Sequence, residues 1–146
     1  MGAKKVKKDE KCIGHKDVEK KFSTYKKSVW RHKVVLCECD DPPDDGNRLM
    51  SAFPMYFILN FKELGLKKLI CIQEGKYGYV FTKNGFYEIN KYTGSFDDPL
   101  SLKIPNDDDV DIVCTKNGFG KLFDARCGLW FGPDEKRLKP KAERGL

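Results

Sequence analysis

Between Val34 and Ile72 the chain reads VVLCECDDPPDDGNRLMSAFPMYFILNFKELGLKKLICI, and this segment carries the main indication of the fold. It opens with a short apolar run typical of a buried strand. An acidic, proline-containing turn follows, and apolar residues then recur at helical spacing up to Gly65, where we expect a left-handed helix end. A second apolar run closes the stretch. This order predicts two parallel neighbouring strands of a doubly wound α/β fold, with ligands bound at the turn from Cys39 to Asp45.

The segments on either side of this stretch have weaker patterns. Apolar spacing predicts a helix over 17–30 with Asp17 as its N-cap. Aromatic and β-branched residues on both sides of Asn84-Gly85 predict a β-hairpin with a type I′ turn. The run 111–114 is typical of another buried strand. We expect a loop over 93–105.

The C-terminal segments are shorter and less regular. We expect a short helix or a loop from Gly120 to Leu129. Trp130 and Phe131 form an aromatic cluster that ends at a turn. The chain of 146 residues is long enough for one domain with a hydrophobic core. We place that domain at 12–132, between a basic N-terminal arm at 1–11 and a basic C-terminal tail at 133–146.

The net charge of +6 is concentrated at the two ends of the chain. Clustered lysines and arginines attract nucleic acid, but they also serve as solvated tails that keep a protein soluble. Both interpretations stay open on charge alone. No apolar run reaches the roughly 18 residues that a membrane span needs, so we expect a cytoplasmic protein without a membrane partner.

Six cysteines occur in a chain without a secretory signal, which argues against a disulfide framework. A zinc site built from Cys12, His15, Cys37 and Cys39 is the alternative. Only one residue separates Cys37 from Cys39, whereas zinc knuckles use two or more. We therefore predict no metal site.

Two runs of sequence carry a resemblance to a known family. They are KVVLCECDDP at 33–42 and YFILNFKELGLKKLI at 56–70, and together they resemble the EcoRI-type adenine-specific DNA methyltransferases. Members carry a Cys-x-Cys-Asp-Asp-Pro turn followed by a Tyr-Phe-x-x-Asn-Phe-x-x-Leu-Gly-Leu-Lys-Lys-Leu helix and strand. The resemblance extends from about residue 8 to about residue 123. It implies an α/β fold with a Rossmann-like methyltransferase-type sheet, here incomplete and with a β-hairpin insertion.

The resemblance also implies a reaction. The family transfers a methyl group from S-adenosylmethionine to the exocyclic amine of adenine in DNA, which requires the base to leave the stack. The implied site residues are Asp9, Cys39, Asp40, Asp41 and Pro42 for the cofactor, and Asn117 and Phe119 for catalysis on the base. The implied partner is DNA, and the short length of the chain leaves open a second subunit that completes the sheet.

The sequence departs from the family at the catalytic loop. Lys116-Asn117-Gly118-Phe119 stands where the family has Asn-Pro-Pro-Phe. Lys116 donates hydrogen bonds only, so Asn117 replaces the missing acceptor only if the loop shifts by one residue. Asn117-Gly118 is otherwise a simple turn, and Thr-Lys-Asn-Gly-Phe also occurs at 82–86. Complete enzymes of this kind commonly exceed roughly two hundred residues. We therefore expect an incomplete or catalytically impaired copy.

Two further hypotheses come from other functional classes. The first is a non-catalytic nucleic-acid-binding remnant of the fold, in which the basic ends contact phosphates. The second is a module that docks on a partner subunit through Trp130, Phe131 and the aromatic residues of the hairpin.

Overall fold

A computed structural model describes residues 14–39, 52–73, 77–89, 92–104, 110–134 and 137–138. The described helices are α1 (His15–Phe22), α2 (Ala52–Leu59) and α3 (Phe61–Leu64), with one 3-10 turn at Lys27–Val29. The described strands are β1 (Val34–Glu38), β2 (Lys68–Gln73), β3 (Tyr77–Thr82), β4 (Gly85–Ile89), β5 (Thr93–Ser95), β6 (Asp98–Lys103), β7 (Ile112–Cys114), β8 (Leu122–Asp124), β9 (Leu129–Phe131) and β10 (Arg137–Leu138).

Three parallel strands form the centre of the main sheet. The sheet has the order β10-β9-β8-β7-β1-β2-β3-β4, and β1 pairs in parallel with both β2 and β7. The register places Leu36 beside Ile70 on one side and beside Val113 on the other. The predicted parallel pairing of the two strands in the stretch from Val34 to Ile72 is therefore confirmed.

The flanking strands are antiparallel, so the sheet is mixed. β3 and β4 form the predicted hairpin beside β2, while β8, β9 and β10 form an antiparallel meander beside β7. The helix or loop expected from Gly120 to Leu129 is wrong for Leu122–Asp124 and Leu129, which belong to β8 and β9. Asp124 Oδ1 accepts hydrogen bonds from the amides of Arg126 and Cys127, and Gly128 has φ of 73°, which together turn the chain back into β9.

The two faces of the sheet are covered differently. On one face, an aromatic core joins α1 and α2 to the sheet, and Phe22 packs with Trp30, Phe53 and Phe57. The other face is covered by the β5–β6 hairpin, which contributes Leu102 to a second apolar cluster. The loop expected over 93–105 is therefore wrong for the hairpin residues. Side-chain hydroxyls stabilise this hairpin, because Ser101 Oγ accepts the Ser95 amide and Ser95 Oγ accepts the Asp97 amide.

The first helix is shorter than predicted. It begins after Gly14, whose carbonyl accepts the Asp17 and Val18 amides, so Asp17 lies in the first turn and is not the N-cap. It ends at Phe22 because the hydroxyls of Ser23 and Thr24 donate to carbonyls of the last turn. The predicted left-handed end at Gly65 is confirmed, with φ of 70°.

The turn of the β3–β4 hairpin also differs from the prediction. Thr82 pairs with Gly85, so Lys83 and Asn84 are the central residues, and neither has positive φ. A type I′ turn needs positive φ at both central residues, so that prediction is wrong. Thr82 Oγ1 accepts the Asn84 amide, and Gly85 takes the positive φ of 122° instead.

None of the described helices is long and apolar enough to cross a membrane.

Candidate active site at the carboxyl edge of the parallel strands

The carboxyl ends of β2, β1 and β7 meet at one edge of the sheet, as parallel pairing requires. Cys39 follows β1 at this edge, and its amide donates to the Ile72 carbonyl at 3.0 Å, which extends the β1–β2 ladder by one residue. The Cys39 side chain is half-buried against the aromatic core. The other residues expected to bind the cofactor, Asp9, Asp40, Asp41 and Pro42, lie outside the described residues.

The loop after β7 is a series of tight turns. Thr115 is buried, and its Oγ1 accepts the Gly118 amide at 3.1 Å. The Lys121 amide then donates to the Gly118 carbonyl at 2.7 Å. At the far end, the Tyr25 hydroxyl donates to the Gly120 carbonyl at 2.8 Å. We call residues 115–121 the β7 loop. It is held from both ends by hydrogen bonds.

Asn117 and Phe119 are turned toward different neighbours. Asn117 is exposed, and its Nδ2 donates to Asp97 Oδ1 at 2.8 Å, in the turn of the β5–β6 hairpin. Phe119 is half-buried and packs against the rings of Phe22 and Phe53, at centroid distances of 6.4 and 5.9 Å. The β7 loop therefore directs one side chain to the hairpin and the other to the helices. It does not bring the two together in one pocket.

Glu38 also lies at this edge, and the sequence did not single it out as a candidate site residue. Its carboxylate is buried, and Oε1 accepts the backbone amide of Lys116, the second residue of the β7 loop, at 2.7 Å. A buried carboxylate is costly unless it is hydrogen-bonded, and this contact supplies a bond. The sequence feature that could have identified Glu38 is its position as a single charged residue between two cysteines, at the end of an otherwise apolar strand.

A second buried carboxylate lies at the opposite edge of the sheet. Asp111 precedes β7, and its Oδ2 accepts the Val34 amide at 2.8 Å, while Oδ1 pairs with Arg126 Nε. Glu38 and Asp111 therefore connect β1 and β7 in a reciprocal way. Asp111 accepts the amide of the first residue of β1, and Glu38 accepts the amide of the second residue after β7.

Three cysteines form a row across the parallel strands. The register places Cys37 beside Cys71 and beside Cys114, and all three thiols are buried. Burial raises the pKa of the Cys37 and Cys114 thiols well above the usual value. Neutral thiols of this kind pack as small apolar groups. Among the described residues, no three His, Cys, Asp or Glu side chains are grouped so that they could hold a metal ion.

Two cavities lie away from the carboxyl edge. One, of about 210 Å³, is near the amino ends of β1 and β7 and is lined in part by Lys33, Asp111 and Arg126. The other, of about 380 Å³, lies beneath the β5–β6 hairpin and is lined mainly by apolar side chains. Neither lining includes a residue that was expected to bind the cofactor or the base.

Comparison with known proteins identifies the class. The family described as adenine-specific methyltransferase EcoRI matches residues 1–117, so the chain belongs to that family. A curated relative is the type II methyltransferase M.EcoRI of Escherichia coli, which is 43% identical over 105 residues. That alignment covers 66% of this chain and 30% of the relative, so the chain resembles one part of an adenine-specific methyltransferase. No solved structure matches the chain.

The family match ends at Asn117, inside the β7 loop. It includes the three parallel strands, and β8, β9 and β10 follow it in the chain. The resemblance inferred from the two runs at 33–42 and 56–70 is thus confirmed. Residues 118–123, which were included in the resemblance at first, lie beyond the family match.

Proposed function

We propose that this chain forms the cofactor-binding part of an adenine-specific DNA methyltransferase and is catalytically impaired by itself. The observation that carries the proposal is the parallel β2-β1-β7 arrangement, which brings Cys39 and the β7 loop to the same edge of the sheet. Ligands of α/β sheets bind at this edge. We propose a Rossmann-like methyltransferase-type domain at 12–132, with basic ends at 1–11 and 133–146.

The proposed cofactor is S-adenosylmethionine, which supplies an activated methyl group when bound. Its hydroxyl and amino groups require hydrogen-bond acceptors. Asp40 and Asp41 follow Cys39 directly in the chain, so their carboxylates are within a few residues of the carboxyl edge. These carboxylate acceptors fit the hydroxyl and amino donors of the cofactor, and we assign Asp9, Cys39, Asp40, Asp41 and Pro42 to its binding.

The geometry of the β7 loop supports the proposed impairment. An adenine amine needs an acceptor beside it and an aromatic face on which the ring stacks. Asn117 and Phe119 supply these groups in the proposal, but Asn117 is bonded to Asp97 and Phe119 packs on the aromatic core. Catalysis requires the loop to rearrange, and a misplacement of about 1 Å costs large factors in rate.

The proposed partners are DNA and a second polypeptide that supplies further strands. The basic ends favour contact with phosphates, and the chain spans 30% of the relative's length. Such DNA binding is expected to weaken steeply as salt is raised. Binding that does not change with salt would remove phosphate contact from the proposal.

Calorimetry with S-adenosylmethionine tests the cofactor assignment. We expect saturable heat for the native chain and its loss when Asp40 and Asp41 are both changed to asparagine. Asp17→Asn is the matched control, because Asp17 is exposed in the first turn of α1 and lies outside the proposed site. Absence of heat with the native chain at millimolar cofactor would overturn the assignment.

A methyl-transfer assay tests the proposed impairment. The labelled methyl group of S-adenosylmethionine is offered to duplex DNA that contains adenine, and we expect no label in the DNA with this chain alone. Rapid transfer of more than one methyl group per protein chain would contradict the proposed impairment. The cofactor assignment would remain intact.

A further inference from the structure

Buried polar side chains are few in the described part of the chain, and they share one location. Glu38, Asp111 and Thr115 are the buried polar residues there, and all three lie at the ends of β1 or β7. Core positions rarely hold carboxylates, because an unpaired buried charge is strongly unfavourable. The pairing of β1 with β7 is therefore the place where this fold uses buried charge.

We propose that Glu38 is a positioning residue that fixes the start of the β7 loop against the cofactor edge of β1. The role of this contact in methyl transfer rests on the proposed function. Glu38 is the residue directly before Cys39, and its Oε1 is bonded to the Lys116 amide. One side chain thus connects the turn assigned to the cofactor with the loop assigned to the base.

The bond is of a strong type. A carboxylate that accepts a backbone amide makes a charge-assisted hydrogen bond, and the distance of 2.7 Å is short for an N–H donor. Glu38 is only 9% exposed, so water competes little for either partner. The bond also joins residues 78 positions apart, which makes it a tertiary contact rather than a local turn.

The rest of the β7 loop follows from this first contact. Thr115 Oγ1 accepts the Gly118 amide, and the Lys116 carbonyl accepts the Phe119 amide at 3.2 Å. Lys116 therefore contributes its amide to Glu38 and its carbonyl to the turn that carries Phe119. Moving the Lys116 peptide would displace both Asn117 and Phe119.

Asp111 provides a matched control within the same fold. It accepts the Val34 amide at the amino edge in the same way that Glu38 accepts the Lys116 amide at the carboxyl edge. Loss of either carboxylate removes a buried hydrogen bond between the same pair of strands. Only the loss of Glu38 should release the β7 loop.

The test is to measure the hydrogen-exchange rates of individual backbone amides by NMR on the full chain. In Glu38→Ala we expect the exchange protection of the Lys116 amide to fall by at least about tenfold relative to the core amide of Leu36. In Glu38→Gln the side-chain carbonyl still accepts a hydrogen bond, so protection should be largely restored. In Asp111→Ala, which removes the acceptor of the Val34 amide at the opposite edge, the Lys116 amide should keep its protection.

A second readout uses the native chain and does not depend on a variant that folds poorly. The Lys116 amide proton should titrate together with the Glu38 carboxyl group, and this pH dependence should vanish in Glu38→Gln. An amide that shows no titration in the native chain, or that stays protected in Glu38→Ala, would overturn the proposal. Both measurements are made without cofactor, so failure of the proposed function is recognised separately, by the absence of heat with S-adenosylmethionine.

The functional consequence is measured on the same variants. If the cofactor assignment holds, Glu38→Ala should weaken S-adenosylmethionine binding by about tenfold, and Glu38→Gln should recover most of it. Equal binding by the native chain and Glu38→Ala would overturn the coupling between loop and cofactor.

Discussion

The Sγ atoms of Cys37 and Cys71 lie 3.6 Å apart across the paired strands β1 and β2, with both side chains fully buried. Cys114 continues the row on the other side of Cys37. This placement makes the thiols part of the core rather than reactive groups.

Alkylation of the native chain should distinguish its exposed cysteines from its buried ones. Iodoacetamide reacts with thiolates, and burial both shields Cys37 and Cys114 and raises their pKa. We expect Cys127, which is exposed, to be labelled at pH 8 while Cys37, Cys71 and Cys114 stay unmodified. Peptide mass spectrometry gives the readout. In denaturant all of them should react, and early modification of Cys37 in the native chain would contradict its burial.

Stability should decline in alkali. Burial raises the pKa of Cys37, Cys114 and Tyr25 above their ordinary values. The unfolded chain therefore loses these protons at lower pH than the folded chain, so rising pH favours unfolding. We expect the free energy of unfolding to fall above about pH 8.5, by about 1.4 kcal/mol per pH unit for each ionising thiol.

Urea titrations between pH 7 and pH 10.5 measure this decline. Replacing Cys114 by alanine removes one of the thiols and should make the alkaline slope shallower. A slope that is identical in the native chain and in Cys114→Ala would show that this thiol ionises equally in both states.

Asp111 and Arg126, which form an ion pair at the amino edge of the sheet, should contribute differently to the free energy of unfolding. Asp111→Ala removes the acceptor of the buried Val34 amide, which should cost about 1–3 kcal/mol. Arg126→Ala removes a side chain that is 63% exposed, and such ion pairs contribute less than about 1 kcal/mol. Chemical denaturation of both variants gives the comparison. A larger loss for Arg126→Ala would reverse the assignment.

Gly118 should be intolerant of a side chain. A Cβ atom at this position would lie 2.2 Å from Cζ3 of Trp130, far inside van der Waals contact. Gly118→Ala should therefore cost about 1–3 kcal/mol through displacement of the loop or of the ring. Gly132→Ala is the control, because its Cβ would meet an atom only at 3.7 Å, and we expect less than about 0.5 kcal/mol there.

The double variant Gly118→Ala with Trp130→Leu isolates the cause. Leucine lacks the ring atoms that the new Cβ would approach, so the penalty of Gly118→Ala should shrink in this background. An unchanged penalty would assign the cost to the backbone of the turn instead.

Phe22 should be required for the attachment of α1 to the sheet. Its ring is buried and packs on Trp30, Phe53 and Phe57, so Phe22→Ala should cost about 3–5 kcal/mol, much of the stability of a small domain. Leu59→Ala is the control at the end of α2, where the side chain is 68% exposed and the cost should stay within about 0.5 kcal/mol. Thermal unfolding followed by circular dichroism measures both, and similar midpoints would contradict the packing.

Features that depend on local patterns could be predicted from the order of the residues. The apolar runs predicted β1 and β2, Gly65 predicted the end of the intervening helical segment, and the aromatic alternation predicted the β3–β4 hairpin. Family membership was recognised from the two runs at 33–42 and 56–70. These signals are short in range, because hydrophobic period and turn chemistry are properties of adjacent residues.

Contacts between distant segments could not be predicted in this way and become visible only in the folded chain. The β5–β6 hairpin and the β8–β9 pair have weak local patterns and are stabilised by pairing and by burial against the sheet. The contacts of Asn117 with Asp97 and of Lys116 with Glu38 join residues 20 and 78 positions apart. No period or turn motif encodes such contacts, because they form only after the sheet brings β1, β7 and the hairpin together.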